Sequence, residues 1–147
     1  MFDKTLVLLY YSINTIIQGG EHMPWQLKGS TPIYLQLIGE IKRRIISGDY
    51  AAGEKLPSVR DLASEASVNP NTMQKALAEL ERCGLVHTNR TSGRFITEDE
   101  VLIKQLRVDL AKKHVETFLG NMEQLGFTYE ETLELIGEII SHIPAEK

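Results

Sequence analysis

Apolar residues recur at steps of three and four in five stretches of the chain and alternate in one pair of short runs, the periods of amphipathic helices and of half-buried strands. The first stretch opens at Pro32 and places Tyr34, Leu37, Ile38, Ile41 and Ile45 on one side of a helix that Gly48 ends. Lys42, Arg43 and Arg44 fall on or near its outward side, placed to approach phosphates or simply to be solvated. After a loop over 49–54 and a brief extended piece at 55–57, two short helices follow in close succession. Ser58 as N-cap with Asp61 three residues on predicts a helix over 59–66, with Leu62 and Ala63 inward and Arg60 pointing from its first turn. Ser67-Val68 is the turn, and Asn69 with Pro70 is a second start signal. The second helix runs to Arg82, with Met73, Ala76, Leu77 and Leu80 inward and Gly84 closing it.

Two helices joined by so tight a turn make a helix-turn-helix, and the second one carries the chemistry of its recognition helix. Its N-terminal end displays Asn71, Thr72, Gln74 and Lys75. Asn and Gln pair with adenine, Thr meets a base or the thymine methyl, and Lys suits guanine or a phosphate. The helix N-terminus adds backbone N–H groups and positive dipole.

The alternating runs 85–88 and 94–97 flank Asn89-Arg-Thr-Ser-Gly93 and predict a β-hairpin. Arg90 and Arg94 beside its Gly93-bearing tip suit a wing lying along a minor groove or backbone. His87 has no neighbouring Cys or His at ligand spacing, so a packing or phosphate-facing role is expected.

Beyond residue 97 a long helical pattern of Val101, Ile103, Leu106, Leu110, Val115, Phe118, Leu119, Met122 and Leu125 ends at Gly126. Thr128 with Glu131 opens another helix, with Leu133, Ile136 and Ile140 on one face. Two helices cannot bury that much apolar surface against each other. A second copy would cover it, so Leu106, Leu110, Phe118, Met122, Leu133, Ile136 and Ile140 are expected to build a homodimer. A small-molecule sensor is the other use of such a tail, but two helices leave little room for a ligand pocket of roughly 300 Å³ or more. His114 and His142 with Glu116 or Glu138 have the chemistry for a metal but no ligand spacing that demands one; no metal or cofactor is expected, and any effector is left open.

Charge sharpens the division. Residues 1–22 carry −1, residues 23–97 carry +3 from ten Lys or Arg against seven Asp or Glu, and residues 98–147 carry −6, which makes up the net −4. A basic middle with an acidic tail fits a DNA-reading module joined to a part that faces away from DNA. Cys83 is the only cysteine, so no intrachain disulfide can form and a cytoplasmic location is expected. The apolar run 6–17 is too short to span a bilayer, which takes about 20 residues, so no membrane role is expected. Gly19-Gly-Glu-His-Met23 can be encoded by a purine-rich ribosome-binding sequence followed by a start codon. Residues 1–22 are therefore read as a non-native or upstream-translated extension, the alternative being an N-terminal element that docks its apolar face. The expected domains are 23–97, a winged helix-turn-helix, and 98–147, a helical dimerisation region. The fold class is mainly α with a small β-hairpin wing.

Pro32-Ile-Tyr-Leu-Gln, Gly53-Glu-Lys-Leu-Pro-Ser-Val-Arg-Asp-Leu-Ala63, Val68-Asn-Pro-Asn-Thr-Met-Gln-Lys-Ala-Leu77, Leu80-Glu-Arg-Cys-Gly-Leu85 and the Gly93 hairpin together resemble the GntR family of bacterial transcription regulators. The short tail and the Asn-Pro-Asn-Thr opening are most similar to its YtrA subfamily. The resemblance implies DNA contacts from Ser58 and Arg60, from Asn69, Asn71, Thr72, Gln74 and Lys75, and from Gly93 and Arg94. Gln74 departs from the Ser or Arg often found at that place, so the operator sequence is left open. The resemblance further implies a homodimeric repressor of its own operon, often one encoding an ATP-binding-cassette transporter, bound to an inverted repeat. The other reading is a winged-helix protein-interaction module without sequence-specific DNA binding. No nucleophile with a base, phosphate-binding glycine loop or paired carboxylates argues for an enzyme.

Overall fold

The computed structural model describes residues 25–144, which fall into two compact units meeting between Glu98 and Asp99. The reading of residues 1–22 lies outside the described residues. In the first unit the elements are α1 (Ile33–Ser47), α2 (Val59–Ala66), α3 (Pro70–Arg82), β1 (Val86–Asn89) and β2 (Gly93–Ile96). The second holds α4 (Glu100–Gln124) and α5 (Tyr129–His142).

The carbonyl of Pro32 accepts the N–H groups of Leu35 and Gln36 and so starts α1. The Gln36 side chain folds back onto the lead-in, donating to the carbonyls of Thr31 and Lys28 and accepting from the Lys28 N–H. Gly48, at φ 85°, ends the helix in a left-handed cap that a side chain would strain. Leu37, Ile41 and Ile45 are buried with Leu62 and Ala63 of α2 and Met73, Ala76, Leu77 and Leu80 of α3. Both α1 and α2 pack on α3, so the core residues of three helices fix the attitude of the one whose outer face bears the candidate side chains.

Arg44 departs from the sequence expectation of an outward residue, phosphate-facing or solvated. It is 1% exposed. Its Nε donates to Glu40 at 3.0 Å, and its Nη1 donates to Glu65 at 3.0 Å and to the Tyr50 hydroxyl at 3.1 Å. The Trp25 ring covers the guanidinium at 4.4 Å, and Trp25 itself donates to Glu65. The physical reason is that a buried cation needs paired anions, and Glu40 one turn back and Glu65 at the end of α2 supply them. Burial alone would lower the Arg44 pKa, but the hydrogen bonds it donates to Glu65, Glu40 and Tyr50 more than offset this and raise it. Burial also pushes up the carboxyl of Glu40, yet its bonds to Arg43 and Arg44 leave it below its usual value. Arg43 is likewise committed to Glu40, at 2.8 Å.

The hairpin strands pair antiparallel with Val86 opposite Ile96 and Asn89 opposite Gly93. They sit one residue from the expected runs, because Leu85 still bonds back to Leu80 and Asn89 is the last paired residue before the tip. The segment 53–56 lines the free edge of β2: Lys55 bridges Phe95, and Leu56 donates to the Arg94 carbonyl at 2.8 Å. The wing is thereby tied to the chain that leads into α2.

In the second unit Asp99 caps α4 by accepting the Val101 and Leu102 N–H groups, and Thr128 with Glu131 forms a complete capping box on α5. The two helices pack on each other, but only Met122 and Thr132 in them are buried.

Candidate nucleic-acid interface

The turn between α2 and α3 is set by local bonds. Ser67 adopts a left-handed conformation at φ 55°, and the Val68 N–H returns to the Ala63 carbonyl at 2.9 Å. Asn69 then caps α3 through Oδ1, which accepts the Asn71 N–H at 2.8 Å, while Pro70 occupies the first helical position. Two of the residues expected to contact DNA therefore have a defined structural task as well: Asn69 here, and Ser58, whose hydroxyl accepts the Asp61 N–H at 3.1 Å to cap α2.

The remaining candidates stand outward. Arg60 is exposed on the first turn of α2; Asn71, Gln74 and Lys75 are exposed and Thr72 is half-buried on the first turns of α3. Lys75 is held rather than loose, with its Nζ 3.8 Å from the centre of the Tyr34 ring of α1. Arg90 is exposed at the wing tip, where Asn89 Oδ1 accepts from the Thr91 N–H and hydroxyl and shapes the turn. Gly93 closes that turn at φ 107°, and a Cβ there would lie 3.1 Å from the Lys55 side chain. A larger residue would be strained and would push Lys55 aside. Arg94 is half-buried, its Nε enclosed without an acceptor and its Nη2 donating to Oε1 of Gln74 at 3.2 Å. This bond joins the recognition helix directly to the wing. His87 stacks on Phe95 with ring centroids 5.8 Å apart, a packing role.

Ion pairing separates two kinds of basic residue. Arg43, Arg44 and Arg82 are paired with carboxylates, whereas among the described residues no ion pair engages Arg60, Lys75, Arg90 or Arg94. Cations left without a carboxylate partner at helix ends and on one hairpin are what a polyanion requires. Sequence reasoning missed Lys55 and Tyr34 here. The extended piece expected at 55–57 was the signal for Lys55; the contact of Tyr34 with Lys75 joins residues 41 apart in the chain and had none.

The dimerisation candidates divide by exposure. Phe118, Leu133 and Ile140 are exposed, Leu133 by 69% and Ile140 by 61%; Leu106, Leu110 and Ile136 are half-buried. Met122 is buried within its own chain. Among the described residues no cluster of His, Cys, Asp or Glu could hold a metal ion, and no helix is long and apolar enough to cross a membrane.

A helix-turn-helix whose second helix is braced by two others, followed by a two-stranded wing with unpaired cations at its tip, defines the winged-helix class of DNA-binding proteins. Residues 33–96 match the family model of bacterial regulatory proteins, gntR family. The regulator YhcF of Bacillus subtilis is 42% identical over 109 residues, covering 74% of this chain and 90% of that one. The transcriptional repressor YtrA of the same organism is 35% identical over 82% of this chain and 93% of its own length. Among solved structures, a GntR family transcriptional regulator from Listeria monocytogenes superposes with a TM-score of 0.70 at 41% identity, covering 76% of this chain and 98% of that one. The chain belongs to the GntR family and is a DNA-binding transcriptional regulator, not an enzyme.

Proposed function

We propose that this regulator is a homodimeric repressor that binds an inverted repeat upstream of its own gene, in the cytoplasm. The observation that carries the proposal is the set of exposed cations and outward polar groups on the first turns of α2 and α3 and on the wing. Asn71, Thr72 and Gln74 face base edges in the major groove; Arg60, Lys75 and Arg90 engage phosphates or the adjacent groove, with Ser58, Asn69 and Gly93 shaping the approach. Residues 23–97 act as the DNA-binding part and residues 98–147 as the dimerisation part. The exposed Phe118, Leu133 and Ile140 support a second copy covering α4 and α5, which would set two recognition helices about 34 Å apart, one DNA turn. Likeness to a protein named as a repressor supports repression. The family resemblance supports an operon encoding an ATP-binding-cassette transporter.

The test is a gel-shift titration on the region upstream of the gene at several salt concentrations. Three phosphate-directed cations per protomer make six in a dimer, so affinity should fall about a thousandfold between roughly 50 and 200 mM salt. Binding that ignores sequence, or no binding at low salt, overturns the proposal and favours a protein-interaction role.

A further inference from the structure

Gln74 lies on the second turn of α3 and Arg94 on the wing, twenty residues apart, yet the guanidinium donates to the Gln74 amide oxygen at 3.2 Å. A guanidinium has donors only, so this contact fixes which end of the amide turns toward the wing: Oε1 faces Arg94 and the NH2 group faces away. Arg94 is itself held, half-buried, with its Nε enclosed against the protein. Gln74 is exposed, so its NH2 group is the end left for a base.

An unconstrained glutamine reads adenine by giving an N–H to N7 and accepting from the N6 amino group. Here the accepting oxygen is shared with a cation. Its remaining lone pair lies beside a full positive charge, which opposes the approach of the adenine amino group and attracts the two acceptors of guanine, N7 and O6. Drawing electron density from Oε1 also makes the amide N–H groups better donors. We propose that Arg94 is a positioning residue for sequence recognition: it converts Gln74 from an adenine reader into a donor that selects guanine. This rests on the reading of α3 as the recognition helix and adds to it the base that one of its side chains prefers.

The experiment is selection from a randomised duplex pool by the full chain and by three variants. Gln74→Ala identifies the position read by residue 74 as the one whose preference flattens. At that position the parent protein should favour guanine over adenine by about tenfold, within the discrimination expected of a good side-chain pair to a base. Arg94→Met should turn the preference at that position toward adenine, whatever the loss of a wing cation does to overall affinity. Because Arg94 is half-buried, Gln74→Glu is the second probe: it keeps a partner for Arg94, removes the donors, and should replace guanine by cytosine, whose amino group a carboxylate accepts. Adenine preferred by the parent protein, guanine retained unchanged in Arg94→Met or Gln74→Glu, or no position altered by Gln74→Ala would overturn the inference while leaving DNA recognition by α3 standing. Failure of the parent protein to enrich any sequence would overturn both.

Discussion

Arg44→Met removes a cation from the middle of the winged-helix unit while keeping most of the side chain's apolar volume. The guanidinium makes three hydrogen bonds, to Glu40, Glu65 and Tyr50, and lies 4.4 Å from the Trp25 ring and 5.7 Å from that of Tyr50. Bonds to a charged group contribute roughly 1.5–3 kcal/mol each, and removing one member of a fully buried pair costs about 3–5 kcal/mol. Two features reduce the cost here. The carboxylates keep 22% and 36% of their side-chain surface, so water can rehydrate them, and methionine fills much of the space. We therefore expect a loss of about 3 kcal/mol at neutral pH, which for a domain of this size lowers Tm by about 12–24 °C.

The assay is urea and thermal unfolding followed by the fluorescence of Trp25, the single tryptophan, which sits on the group being removed. The pH dependence gives a second readout. The folded-state pKa of Glu40 is depressed, so its stabilisation is complete above the unfolded value of about 4.3 and is lost as pH falls through the folded value. Arg44→Met removes one of the two guanidinium partners responsible, so the gap between parent and variant should narrow below about pH 4. Arg44→Lys should recover less than half of the loss, because an ammonium cannot reproduce the fork that spans both carboxylates. A variant within about 0.5 kcal/mol of the parent, inside the usual range for surface substitutions, or a gap that does not change on acidification, would refute this account of the core.

Asn69→Ala removes the cap of α3 and should cost about 1 kcal/mol, measured as a Tm lower by about 4–8 °C; Ser58→Ala should cost a similar amount at α2. Lys75→Ala should weaken DNA binding about equally across sequences and reduce the salt slope by about one per neutralised phosphate, read from titrations at several salt concentrations. Tyr34→Leu should reduce affinity by about two- to fivefold through loss of the contact that holds Lys75, an exposed cation–π pair of roughly 0.5–1 kcal/mol. Joint replacement of Leu133 and Ile140 by Glu should give a monomer by light scattering, with the unfolding of the winged-helix unit unchanged; a variant that remains dimeric would remove these residues from the interface.

The helices were legible because their signals are local. Ser58, Asn69 and Thr128 each accept backbone N–H groups two or three residues ahead, a relation that spacing alone reveals. Buried positions of α3 followed equally from period, since Met73, Ala76, Leu77 and Leu80 all face the core. Arg44 was misplaced because a run of three basic residues reads as a solvated face unless the partners are known. Glu40 lies four residues earlier at helical pairing distance, a signal that sequence reasoning did not use; Glu65, twenty-one residues later on another helix, became a partner only through the packing of α1 and α2 in one unit.

The same distinction governs the reading end. Which residues stand on the outer face of α3 follows from its 3.6-residue period, and those residues are exposed or half-exposed as expected. What each one can do there does not follow from period, because it depends on neighbours from other elements: Tyr34 of α1 under Lys75, and Arg94 of the wing against Gln74. A side chain already bonded by a fixed donor presents fewer choices to a base than the same side chain in water, so the hydrogen-bond inventory of a residue type overstates its freedom. On the proposed reading the two supports therefore act differently: a change at Arg94 of the wing should alter base preference through Gln74, whereas a change at Tyr34 of α1, which holds a phosphate-directed lysine, should lower affinity alike for all sequences.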